Sequence, residues 1–333
     1  MSIPAPIHAN ADATSARWPL IDAARGAAIA AMIAYHFAWD LSFYRYISVD
    51  IARDQLWSRF AELIAASFLF LVGVSLALAS HNGLRRDRYL RRLILIAGAA
   101  MLVSLGTAFA VPHAPVQFGI LHCIALVSVL LIPFLQAPVT VVAATGLIAL
   151  ALPLIARSAM FDGLWWTWLG LAETNAPAVD HVPILPWAGC AFLGLAAARV
   201  VLEREALAAW RARLGAWRPA STLSRALILA GRWSLLIYVL HQPVLMAALW
   251  PLAPSVRGAA AIDDSIGFRS ACEQRCRATG ASAVSCETYC GCAVRELRSA
   301  RMWDSVLRDR ISPEEQTKIS EITQRCAAPP RPQ

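Results

Sequence analysis

The sequence predicts an all-α membrane protein: a polytopic bundle of about seven transmembrane helices followed by a small disulfide-stapled helical tail. Three observations lead there. Of the 333 residues 58% are hydrophobic and only 16% charged, with a mean hydropathy of +0.53. One soluble core of this length does not need so much apolar surface, so the bilayer is the expected solvent. Seven apolar runs approach the roughly 20 residues that cross a hydrocarbon core about 30 Å thick. Beyond Pro254 the hydrophobicity stops, and six of the eight cysteines fall within residues 272–326.

The seven runs are residues 18–38, 60–80, 93–111, 117–136, 138–157, 183–202 and 226–250. Ahead of the first, Arg17 is the lone cation of its segment. With neither a compact basic region nor a small-residue cleavage site, the run reads as a retained helix, not a secretory signal. Pro138 separates the fourth and fifth runs so closely that they must form a helical hairpin. The net charge of +8 does not indicate nucleic acid, because the arginines flank apolar runs and do not build a basic face with interleaved aromatics. Arg85–Arg92 lies between the second and third runs, and Arg204, Arg211, Arg213, Arg218 and Arg225 lie between the sixth and seventh. The positive-inside rule assigns both segments to the cytoplasm.

On that topology residues 1–16 form a disordered cytoplasmic N-terminus, residues 17–252 the membrane domain, and residues 253–333 a tail on the outer side. The expected location is the plasma membrane, the inner membrane in a bacterium. Trp165, Trp166 and Trp168 fall in the outer loop 158–182, suited either to lying among lipid headgroups or to covering an acceptor.

Ionisable side chains inside apolar helices are costly and face a bundle interior or a wet cavity, so each is a site candidate. Toward the outer ends lie His36, Asp40, Glu62, His122, Asp180, His181 and His241; toward the inner ends lie Asp22, Arg25, Arg199 and Arg232. His36 and Asp40 are spaced i,i+4, which places them on one helix face, where the carboxylate can orient the ring as a general base. The bland alternative is a packed histidine with an aspartate at the helix end. Asp22 and Arg25, at i,i+3, either neutralise each other or contact a ligand. Arg232 has no acidic neighbour in sequence, so it either binds an anion or snorkels to the surface. His122 beside Cys123 is too little for a metal or haem site, and no metal is expected.

Five blocks, in order, carry a family resemblance: Arg17–Gly26 with Met32–Leu41, Phe68–Ser75, Phe118–Cys123, Asp180–Gly189 and Gly231–Pro243. Together they resemble the bacterial DUF1624 proteins, which are similar to the catalytic domain of heparan-alpha-glucosaminide N-acetyltransferase and belong to the wider group of transmembrane acyltransferases. The resemblance implies transfer of an acyl group, acetyl above all, from cytoplasmic acyl-CoA to an amine or hydroxyl acceptor, typically on a sugar, at the outer side. It implies a histidine as base or acyl carrier, assigned here to His36, with Asp40, His241 and Asp180 as its catalytic companions. Arg25, Arg199, Arg232 and the inner Arg85–Arg92 loop fall to the coenzyme A phosphates, which need cationic partners. Asp22, Glu62, His122 and His181 complete the expected pocket. Lipid is a further expected partner, nucleic acid is not, and subunit pairing stays open.

Two other classes compete. A proton-coupled transporter would use the buried histidines and aspartates as a relay, but the inverted repeats and matching broken helices of such proteins are not apparent. An interaction protein anchored by the bundle and acting through its tail would leave the intramembrane charges without a role. In the tail, Cys272 and Cys276, like Cys286 and Cys290, are spaced i,i+4 on either side of Gly280. An antiparallel helical hairpin would pair Cys272 with Cys290 and Cys276 with Cys286, leaving Cys292 for Cys326. That is one of fifteen pairings six cysteines permit. A metal site at Cys290–Cys292 is the alternative, and an oxidising compartment favours disulfides.

Overall fold

The computed structural model describes residues 18–252 and 268–327, apart from residues 45, 48, 50, 53, 113, 175–177 and 308–310. The expectations for residues 1–16 and for Pro329–Gln333 lie outside the described residues. Regular structure among the described residues is helical throughout. The order is α1 Pro19–Phe43, α2 Gln55–Ser80, α3 Arg86–Ala110, α4 Ile120–Leu130, α5 Val139–Ile155, α6 Ile184–Glu203, α7 Ala208–Ala216, α8 Thr222–Arg232 and α9 Ser234–Leu249. The tail adds α10 at 268–278, α11 Ala283–Ser299, α12 Trp303–Leu307 and α13 Pro313–Ala327.

Local chemistry explains several helix starts. Pro19 opens α1 at the position where a missing N–H costs nothing. Asp54 caps α2 by accepting from the amides of Leu56 and Trp57.

The chain is an all-α membrane protein, with four or five candidate spans among the described residues where seven are expected. Four helices, α1, α2, α3 and α6, are long and apolar enough to cross a bilayer, and a fifth span results if α8 and α9 are counted together. The run 117–136 gives an α-helix of only 11 residues, about 16 Å at 1.5 Å per residue. Pro133 follows at once and lacks the N–H needed to continue, so the chain passes into a 3₁₀ turn over Ile132–Leu135. The run 138–157 gives α5, with 17 residues. The run 226–250 is not one straight helix: it bends by 91° at the break between Arg232 and Ser234.

The core sits where α2 packs on α6, α6 on α5 and α1 on α8. Ile29, Leu69, Val127, Leu131, Val142 and Leu195 are among its most enclosed large side chains. Large apolar residues such as Ile94, Leu102 and Phe109 of α3 point outward instead, as expected where lipid is the solvent. The α1–α8 crossing depends on two glycines. A Cβ at Gly26 would lie 1.9 Å from the carbonyl oxygen of Leu227, and one at Gly231 would lie 1.8 Å from that of Asp22. Only backbones without side chains can come this close, which is the usual solution where packing, not hydrophobicity, drives helix association in a bilayer. The crossing brings the start of α1 against the end of α8.

In the tail, disulfides Cys272–Cys290 and Cys276–Cys286 join α10 to α11, and Cys292–Cys326 joins α11 to α13. This is the pairing expected from an antiparallel hairpin. A small core of Leu297, Met302, Trp303 and Ile322 fills the space between these helices.

Candidate active site

A cavity of about 650 Å³ opens among α1, α2, α3, α4, α8 and α9. Its walls are mostly apolar, yet five arginines line it: Arg25 from α1, Arg88, Arg91 and Arg92 from α3, and Arg232 from α8. The acid that lines it is Asp22. Arg25 donates to Asp22 Oδ1 at 3.0 Å and to the Ser75 hydroxyl at 2.7 Å. Arg232 Nε lies 3.6 Å from Asp22 Oδ2. The α1–α8 crossing thus gives Arg232 the acidic partner it lacks in sequence. A single carboxylate between two guanidiniums leaves the group cationic, and the three arginines of α3 add to that charge. Pre-positioned donors of this kind suit phosphate oxygens.

Tyr238 of α9 also lines the cavity. Its hydroxyl lies 3.4 Å from Asp180 Oδ2, and the same oxygen accepts the Ile120 amide at 3.0 Å at the start of α4. The Tyr238 ring lies against His241, with centroids 5.6 Å apart, and His241 lies against His36 at 4.8 Å. From Asp22 to His36 along α1 is about 20 Å. One end of the bundle therefore gathers arginines and the other histidines, with Tyr238 between them.

The orientation of His241 follows from its neighbour. Nδ1 stands 2.5 Å from the carbonyl oxygen of Tyr238, and a carbonyl can only accept, so Nδ1 carries the proton. The neutral ring then presents a lone pair at Nε2, a buried atom with no hydrogen-bond partner among the described residues. Two further buried polar atoms share that condition, Asp40 Oδ2 and Gln242 Oε1, on side chains that are hydrogen-bonded to each other. Native proteins pair nearly all such atoms, so a cluster of exceptions is a mark of function.

The structure redistributes several residues expected in the site. Asp40 does not orient His36: its Oδ1 accepts from Gln242 Nε2 at 2.6 Å, and His36 meets His241 instead. The i,i+4 spacing allowed the contact, but a partner from α9 took the carboxylate. Arg199 is not a lining residue of the cavity. It pairs with Glu203 at 2.6 Å and donates to the carbonyls of Phe134 and Ala137, satisfying the chain end left open after α4. Glu62 pairs with Arg59 at 2.9 Å, with both side chains largely exposed. His122 accepts the Gly119 amide at Nδ1 and lies 3.3 Å from the Ser104 hydroxyl at Nε2, so it locks the start of α4. His181 follows Asp180 on the segment leading into α6, outside the cavity lining.

Tyr238, Gln242 and Ser75 are site residues not selected from the sequence. The first two stand in the Gly231–Pro243 block beside His241, and polar groups on an apolar helix were the available signal. Ser75 had none, since a serine in a membrane helix commonly bonds its own backbone, as this one does to the Leu71 carbonyl.

Among known proteins, no curated sequence and no solved structure matches the chain. The family model described as "Heparan-alpha-glucosaminide N-acetyltransferase, catalytic" matches residues 17–243. That span covers more than half of the chain and includes every residue placed in the cavity and at the histidine pair. The chain belongs to the heparan-alpha-glucosaminide N-acetyltransferase catalytic-domain family.

Proposed function

We propose that the protein is a membrane acetyltransferase that takes an acetyl group from acetyl-CoA bound among the arginines and delivers it to an amine or hydroxyl acceptor, sugar-borne, at the histidine end. The observation that carries this reading is the cavity itself, which is lined both by five arginines and by Tyr238, whose ring lies against His241. Arg25, Arg232 and the α3 arginines would grip the phosphates, and the apolar walls would take the pantetheine arm. His241 Nε2 has the free lone pair needed to remove the acceptor's proton as it attacks. His36, packed on His241, fixes that ring and borders the acceptor. The positive-inside rule would set the arginine end in the cytoplasm, where acyl-CoA is made, and the histidine end and tail outside. In a bacterium this is the inner membrane, with the acceptor met in the periplasm.

The test is acetyl-CoA binding by the full-length protein in detergent, read by calorimetry and repeated with Arg232→Ala. Saturable binding that weakens at least tenfold in the variant is expected. No binding by the native protein at millimolar acetyl-CoA would remove this reading in favour of transport.

A further inference from the structure

We infer that Tyr238 is a catalytic residue, whose hydroxyl hydrogen-bonds the thioester carbonyl oxygen as negative charge develops there. The inference rests on the acetyltransferase reading and adds a role that neither the family match nor the histidines supply. Acyl transfer through a tetrahedral intermediate needs two things from its site: a base for the nucleophile and a donor for the oxyanion. Around the histidine end the fully buried side-chain atoms without a hydrogen bond are all acceptors, namely His241 Nε2, Asp40 Oδ2 and Gln242 Oε1. They serve the incoming acceptor molecule and its protons. None of them can hold an oxyanion.

Tyr238 can. It lines the cavity that would hold the donor, and its ring touches that of His241. Its hydroxyl has only a stretched contact to Asp180, 3.4 Å against the roughly 2.5–3.0 Å of a good O–H···O bond. Turning the hydroxyl toward a ligand therefore gives up little. Asp180 is itself held by the Ile120 amide, so it stays in place as the resting partner. The Tyr238 carbonyl meanwhile fixes His241. One residue thus ties the donor's carbonyl to the base.

The step balances as follows. The acceptor's nitrogen or oxygen forms a bond to the acetyl carbon, its proton passes to His241 Nε2, and the carbonyl π pair moves onto oxygen, held by the Tyr238 hydroxyl. When the pair returns, the carbon–sulfur bond breaks and the coenzyme A thiolate leaves, taking the proton from His241.

The experiment uses the full-length protein in detergent with acetyl-CoA and glucosamine as the acceptor probe. Free thiol release and the acetylated product are followed while acetyl-CoA affinity is measured separately. Tyr238→Phe should slow transfer about 10²-fold or more with acetyl-CoA affinity within about twofold of native. Replacing Tyr238 by 3,5-difluorotyrosine, which keeps the shape but donates more strongly, should keep the rate near or above native and shift its pH profile to lower pH. Transfer by the Phe variant at the native rate overturns the inference, as does a parallel loss of rate and acetyl-CoA affinity. A native protein that neither binds acetyl-CoA nor releases thiol overturns the acetyltransferase reading instead.

Discussion

His36 on α1 and His241 on α9 face each other with ring centroids 4.8 Å apart and planes at 60°. Only His241 has its Nδ1 proton directed by a backbone carbonyl, that of Tyr238. The two rings are therefore not equivalent. Replacing His241 by Ala should lower acetyl transfer by about 10²–10⁴-fold, the range of a lost general base, whereas His36→Gln, which keeps bulk and polarity, should cost about tenfold or less. Steady-state turnover with acetyl-CoA and glucosamine separates them. The reverse order would make His36 the base.

The arginines divide into two groups by their contacts. Arg25 and Arg232 meet at Asp22 in the cavity, and Arg25→Ala or Arg232→Ala should each weaken acetyl-CoA binding by about 10–100-fold, the value of a lost charge-assisted hydrogen bond. Arg199 is engaged with Glu203 and the Phe134 and Ala137 carbonyls. Arg199→Ala should leave acetyl-CoA affinity unchanged and lower the melting temperature in detergent.

Gly231 is a packing requirement. Its Cβ would collide with the Asp22 backbone, so Gly231→Ala should destabilise by about 1–3 kcal/mol and Gly231→Leu should prevent the crossing. Thermal melting reports the first and expression in the membrane the second. A Gly231→Leu protein with native acetyl-CoA affinity would contradict the crossing.

Much of this arrangement is legible in the sequence, and what is not shares a cause. The apolar runs of α1, α2, α3 and α6 could be read from composition, because the lipid requirement acts on each run separately. The i,i+4 cysteines of the tail were equally readable, since helical spacing sets their pairing. Partners brought by other helices were not. Arg232 finds Asp22, Asp40 finds Gln242, and Arg199 finds the chain end after α4 only once the helices have crossed. The bend after Arg232 was hidden because residues 226–250 are apolar on both sides of it.

The tail should behave as a covalently held unit. Cys292–Cys326 closes a 34-residue separation, and Cys292→Ser with Cys326→Ser should cost about 2–4 kcal/mol, seen as faster proteolysis within 283–327. Alkylation of the denatured protein should reach six more cysteines after reduction than before it. Equal labelling would show that the disulfides do not form.

Acid should loosen the loop ahead of α6. Partial burial would raise the Asp162 carboxyl, but the Thr174 amide and hydroxyl, the Glu173 amide and the Arg277 charge together hold it below its ordinary value of 3.8. A group depressed in the folded state stabilises above its unfolded pKa, and that contribution fades as pH falls below about 4. The protection of residues 158–174 against hydrogen exchange, taken relative to the intrinsic rate at each pH, should fall between pH 5 and pH 3 in the native protein, and be low at both in Asp162→Ala. Protection that is the same at both pH values in the native protein would show that this carboxylate does not hold the loop.

The 91° bend after Arg232 has a consequence for anyone who alters this protein. Arg232 closes α8, while Tyr238, His241 and Gln242 follow on the first turns of α9. On the proposed acetyltransferase reading the segment works as a ruler, setting how far a bound anion lies from the reacting carbon. A single residue inserted between Trp233 and Tyr238 would advance every later side chain by about 1.5 Å and turn it by about 100° around the helix. Both ends of the ruler would survive such a change intact, but they would no longer measure the same molecule. Grafting this chemistry into another bundle requires moving residues 231–243 as one piece.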